Sequence, residues 1–182
     1  MDDVKLSKFL SLVLRHAPEK IALRLDVAGW ADVEDLLTAC RVHRVPLTRE
    51  RLEQIVAGSD KQRFAFDETR DRIRASQGHS VPVELGYAPQ SPPEILFHGT
   101  PDRFLPSIRA QGLLKGNRHH VHLSVDEATA RKVGDRRGKS VVLTVRAGVM
   151  HQAGHAFFIS DNGVWLVDHV PPEFLIVPRL PV

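Results

Sequence analysis

Four short stretches of this chain carry side chains able to grip an anion or move a proton. "LVLRHAPEK" sets Arg15 beside His16, and "SDKQRFAF" sets Lys61 and Arg63 ahead of two phenylalanines. "EILFHGT" ends in His98, Gly99 and Thr100, and "GNRHHVHLS" gathers Arg118, His119, His120 and His122 ahead of Ser124. A guanidinium is a permanently charged planar fork that matches phosphate oxygens bidentately. An imidazole titrates near neutrality and moves protons, or ligates a metal. The stretches therefore admit a phosphate clamp, an acid–base site or a metal site.

Each admits a plainer reading too. Cations at Arg15 and His16 suit a helix C-terminus through its dipole. Arg63 suits a solvated edge strand. A glycine at position 99 allows close backbone approach to a ligand, but Gly-Thr at a strand end is also ordinary turn chemistry. His120 and His122 share one face if both lie on a strand, yet zinc would need a third ligand such as His151, His155 or Asp168. No HExxH occurs, and neither GxGxxG nor GxxxxGK[ST], so a nucleotide would bind by another route.

The elements that must carry these residues fall into two halves. Leu6, Phe9, Leu10 and Val13 follow helical spacing up to Pro18. Asp32 caps a second helix bearing Val33, Leu36, Leu37 and Cys40, and Thr48 caps a third with Leu52, Ile55 and Val56, ended by Gly58. "RFAF" and "RIRA" then flank the turn "DETRD" as a hairpin, with Phe64 and Phe66 on one face and Arg63 on the other. Three helices and a hairpin suggest a winged helix. Residues 76–93 are rich in Pro, Gly and Ser and read as a connection, with the boundary near residue 85. The second half alternates short strands with two helices, about 102–111 and 126–135, and "SDNG" before Val164 marks a hairpin. The expected class is α+β, mainly antiparallel, divided into 1–85 and 86–182.

Bulk composition narrows the class further. The 182 residues are 42% hydrophobic and 26% charged, as for a globular protein, with a net charge of +3 that permits nucleic-acid or phosphate partners. One cysteine excludes an internal disulfide and a Cys-based zinc site, which fits a cytoplasmic setting. The opening "MDDVKLSKFL" does not read as a signal peptide, and no apolar run reaches the roughly 18 residues a bilayer requires.

In order along the chain, "LSKFLSLVLRH", "GW" at Gly29–Trp30, "DKQRF", "IRASQGHS", "LFHGT", "RHHVHLS" and "NGVWL" together resemble the RNA 2′-phosphotransferase family. These are NAD-dependent enzymes that remove a splice-junction 2′-phosphate from tRNA. The resemblance implies a winged-helix, RNA-binding lobe (1–85) and an ADP-ribosyltransferase-like, NAD-binding lobe (86–182). It also implies a catalytic set of Arg15, His16, Arg63 and Arg118. His98, Gly99, Thr100, His122 and Ser124 match cofactor-binding positions. Lys61 and His79 are looser candidates for the RNA side. The implied co-substrate is NAD, without a metal, and the partner is 2′-phosphorylated RNA. The glutamate that many protein-modifying relatives use is missing from "NGVWL". Two other classes stay open: a transferase that leaves ADP-ribose on nucleic-acid phosphate ends, and a non-catalytic winged-helix RNA-binding protein.

Overall fold

A computed structural model describes residues 1–59, 62–135 and 140–178. The chain is mixed α+β, with helices first and several antiparallel sheets after them, and it divides into two compact units, Met1–Gly86 and Tyr87–Val182. Lys61 lies outside the described residues.

The first unit is organised by caps. Helix α1 (Asp3–Arg15) starts where the Asp2 carboxylate accepts from the Lys5 amide at 2.8 Å. Helix α2 (Val33–Val42) starts on Asp32, which accepts from Asp35 N, and α3 (Arg49–Ala57) on Thr48, which accepts from Arg51 N. Each cap satisfies an amide that the helix itself cannot pair. Leu6, Leu10, Val13 and Leu14 line the buried stripe of α1 and meet Leu36, Cys40, Leu52, Phe64 and Ile73 in one apolar core. Burial raises the Cys40 thiol to about 11, so it remains a packed, protonated side chain. Strands β2 (Phe64–Phe66) and β3 (Arg72–Ala75) form the expected hairpin. The two-residue β1 (Ala31–Asp32) pairs with the far side of β3, making a three-stranded sheet in the order β1-β3-β2.

In the second unit, β5 (Leu96–Pro101) pairs along its length with β8 (Ser140–Val145), and β12 (Leu175–Ile176) pairs with the other edge of β8. A second sheet runs β4 (Pro89–Gln90), β9 (Phe157–Ile159), β10 (Trp165–Val167), β7 (Val121–Leu123). Strands β6 (Leu113–Leu114) and β11 (His169–Val170) form a small pair. Gly163, at φ +76, makes the hairpin turn between β9 and β10, closed by Ser160 N to Val164 O. Helices α4 (Leu105–Gln111) and α5 (Glu127–Gly134) lie near the expected places. Beyond the two expected helices, β8 stops at Val145 and the chain turns into a third, α6 (Ala147–Gln152). Strand β7 begins at Val121, so His120 falls outside it and does not share a strand face with His122.

Candidate functional site

In the first unit the candidate groups collect where α1 ends. The Arg15 guanidinium donates to the Arg63 carbonyl at 3.1 Å and lies 5.9 Å from the Phe64 ring. Its fork is thus turned to a neighbouring strand entrance. The same Arg63 carbonyl accepts from Ser76 N at 2.9 Å. His16 is the exposed C-cap, and its Nδ1 lies 2.9 Å from Ser80 Oγ. Arg15, His16 and Arg63, distant in sequence, therefore gather in one part of this unit. His79, by contrast, is only 1% exposed and lies under Gly29, so its ring faces the interior instead of an RNA strand.

In the second unit the groups stand where the two larger sheets touch. Phe97 and Ser124 exchange reciprocal backbone hydrogen bonds of 2.8 Å, which join β5 to the end of β7. That junction sets His98 Nδ1 2.9 Å from the His122 carbonyl. A carbonyl only accepts, so Nδ1 carries the hydrogen and Nε2 of the neutral ring presents a lone pair. Burial holds the His98 pKa below its ordinary value and the positive charge of Arg118 adds to this, while the His122 carbonyl opposes it. His98 is therefore a neutral acceptor at physiological pH. The charge of Arg118 reaches it from an exposed turn that Gly116 opens at φ +58.

Gly99 has a reason of its own. A Cβ there would stand 1.8 Å from the Ala130 carbonyl oxygen, so the glycine lets the backbone of α5 close onto β5. Gly134 completes this approach, since a Cβ on it would stand 3.0 Å from the Gly99 carbonyl carbon. Thr100 is buried beside that contact. The close approach expected of Gly99 is to a helix.

The other histidines weighed as metal ligands have ordinary surroundings. His120 is half-buried against the Phe158 ring at 5.4 Å, and burial holds its pKa down. His151 lies against Phe157 and His155 against Phe174. Among the described residues no three His, Cys, Asp or Glu side chains assemble into a metal-holding group. Among them, too, no helix is long and apolar enough to cross a membrane.

Ser76 and Ser80 belong to "IRASQGHS", but no role for either is legible in the sequence. Both lie in a Gly/Pro-rich stretch where hydroxyls are common, and their partners are many residues away. Trp30, named in the sequence only within "GW", has the Arg74 guanidinium 4.6 Å and the Arg72 guanidinium 5.5 Å from its ring centroid.

Comparison with known proteins gives a consistent result. Residues 1–169 match the family described as RNA 2′-phosphotransferase, Tpt1 / KptA family. A probable RNA 2′-phosphotransferase of Trichormus variabilis is 58% identical over 172 residues, covering 94% of each chain. Those of Nostoc punctiforme and Flavobacterium johnsoniae are 55% and 53% identical, over 94% and 93% of this chain and 95% and 93% of their own.

Proposed function

This chain belongs to the RNA 2′-phosphotransferase family, whose co-substrate is NAD and whose substrate is 2′-phosphorylated RNA, and we propose which of its residues perform that reaction. In this reading Arg15, His16, Arg63 and Arg118 act on the phosphate. His98, Gly99, Thr100, His122 and Ser124 form the NAD side. The observation that carries it is the gathering of Arg15, His16 and Arg63 at the end of α1, tied by the Arg15–Arg63 hydrogen bond. Three helices with a three-stranded sheet support a winged-helix, RNA-binding first unit. The antiparallel sheets of the second support an ADP-ribosyltransferase-like, NAD-binding unit.

The reaction has two displacements. An oxygen of the RNA 2′-phosphate attacks C1″ of the nicotinamide ribose, and the bond to nicotinamide breaks. The ribose O2″ then attacks the phosphorus, and the bond from phosphorus to RNA O2′ breaks. The products are nicotinamide, 2′-hydroxyl RNA and ADP-ribose 1″,2″-cyclic phosphate. Negative charge spreads over the phosphoryl oxygens in the second displacement, where guanidinium forks stabilise it. His16 holds the phosphate and moves the proton that the RNA 2′-oxygen must gain.

The NAD side fits a neutral dinucleotide ribose. His98 Nε2 accepts from a ribose hydroxyl because Nδ1–H is committed to the His122 carbonyl. His122 thus contributes through its backbone. Ser124, bonded to Phe97, stands at the same junction, and Gly99 and Thr100 hold the strand end in place against α5. The arginines supply the charge stabilisation, so this scheme routes no step through a metal. The lone buried Cys40 fits a cytoplasmic setting.

The test is to incubate the protein with NAD and a short RNA bearing one internal 2′-phosphate, and to identify the products. Nicotinamide, 2′-hydroxyl RNA and the cyclic phosphate are expected in equal amounts. A stable ADP-ribosylated RNA would instead mark an end-capping transferase, and unreacted NAD a binding module.

A further inference from the structure

We infer that Ser80 is a positioning residue that holds the His16 imidazole for proton transfer at the RNA phosphate; this rests on the role proposed above for His16. An exposed imidazole at the end of a helix has several rotamers of similar energy and would present either nitrogen to a substrate. Here its Nδ1 is fixed 2.9 Å from Ser80 Oγ. A serine hydroxyl both donates and accepts. Its oxygen accepts from Nδ1–H both in the imidazolium, which also carries hydrogen on Nε2, and in the neutral ring left once Nε2 has given its proton away. The contact therefore survives both charge states without moving the ring, and it assigns Nε2 to the substrate.

The backbone around Ser80 is itself anchored at several points. Ser80 N and Val81 N both donate to the Arg15 carbonyl, at 2.8 and 3.3 Å. Upstream, Ser76 donates through its amide to the Arg63 carbonyl and through its hydroxyl to the Gln62 carbonyl at 2.6 Å. Next to Ser80, His79 is buried under Gly29, where φ is +79 and a Cβ would stand 3.3 Å from His79 Nε2. Downstream, Glu84 N donates to the Val27 carbonyl at 2.6 Å. One segment, residues 76–84, thus touches the backbones of Arg15 and Arg63 and the side chain of His16. This accounts for two sequence features that the reaction itself leaves unexplained, "GW" and "QGHS". The glycine makes room for the buried histidine, and the histidine pins the serine.

Single-turnover rates with NAD and 2′-phosphorylated RNA would be measured for Ser80→Ala, Ser80→Thr, His16→Ala and the double variant Ser80→Ala/His16→Ala, each with a thermal melt. Ser80→Ala is expected to slow turnover about 10-fold, the order of one lost hydrogen bond, with KM for NAD unchanged. Ser80→Thr, which keeps the hydroxyl, should restore most of the rate. In the His16→Ala background, removing the hydroxyl should cost nothing more, because its partner is gone. Nitrogen-15 spectra of the imidazole should show the Nδ1–H and Nε2–H forms of His16 mixing in Ser80→Ala. Equal slowing by Ser80→Ala in both backgrounds would mean that the segment acts only by supporting the fold, and would overturn the inference. Wild-type turnover of Ser80→Ala beside a slow His16→Ala would sink Ser80 alone. Wild-type turnover of His16→Ala would remove the role of His16 and this inference together.

Discussion

Arg15 and Arg118 offer the same fork from opposite kinds of support. Arg15 is part-buried at the end of a helix, bonded to the Arg63 carbonyl and resting near the Phe64 ring. Arg118 is exposed on the turn that Gly116 opens, with its own amide bonded back to the Lys115 carbonyl at 3.2 Å. The first group is part-buried and tied to a strand entrance, whereas the second stands exposed on a turn, where substitution ordinarily costs the fold little. Pre-organisation saves ordering entropy but ties the side chain to the fold, so the two residues should respond differently to substitution.

The largest effect separates them directly. Arg15→Ala and Arg118→Ala should each slow turnover about 100- to 1000-fold, as for loss of a donor that stabilises developing charge. Only Arg15→Ala should also lower stability, by about 1 kcal/mol for its hydrogen bond, seen as a shifted denaturation midpoint. Lysine should recover part of the rate at position 118 and little at position 15, where the fork serves a carbonyl as well as the phosphate. Equal stability of the two alanine variants would erase the distinction.

Two glycines extend the contrast to the frames around these groups. Gly99→Ala would drive a Cβ to 1.8 Å from the Ala130 carbonyl and should cost about 3 kcal/mol, since backbone must part from backbone. Gly29→Ala meets side chains instead of backbone, His79 Nε2 at 3.3 Å and Leu85 and Val83 at 3.6 Å, together with a left-handed φ, and should cost about 1–2 kcal/mol. Calorimetry of the two variants decides the order, and a milder Gly99→Ala would mean that α5 is not locked to β5.

A smaller effect concerns acid. The unfolded chain protonates His98 near 6.5, while the folded chain, where burial disfavours the charged ring, resists until lower pH. Its contribution is therefore complete above about pH 6.5 and is lost as pH falls through the lowered folded value. Denaturant midpoints at about pH 7.5 and about pH 5 should differ less in His98→Gln than in the wild type. An unchanged difference would remove His98 from this account. The smallest expected effect is that of a strong chelator, which should leave turnover unaltered. A loss restored by Zn²⁺ would contradict the arginine scheme.

How much of this could be read from the sequence depended on how local each cause was. Asp32 and Thr48 cap their helices as their spacing predicts, because a cap involves residues three apart. "SDNG" turns the β9–β10 hairpin for the same reason. Helix α6 was hidden: Val141–Val145 run into Ala147–Met150 without a capping side chain, so apolar residues continued what looked like one strand. Strands β1, β4, β6 and β11 have two residues each, too few for an alternation, and exist only through distant partners. The site shows the same division. Arg15 and His16 stand out by type, but the hydroxyl facing His16 comes from 64 residues away. Gly99 is visible as a glycine at a strand end, whereas the helix that requires it is not.

The central claim is that the arginines act chiefly when the bound phosphate is attacked. Rapid-quench analysis of Arg63→Ala and Arg118→Ala, with NAD and RNA labelled at a single 2′-phosphate, tests it most directly. Nicotinamide release should stay comparatively fast while the second displacement slows about 100- to 1000-fold, so that ADP-ribosylated RNA accumulates before 2′-hydroxyl RNA appears. Wild-type rates in both variants, with no such RNA at any time, would show that these guanidiniums are surface charges and would contradict the account.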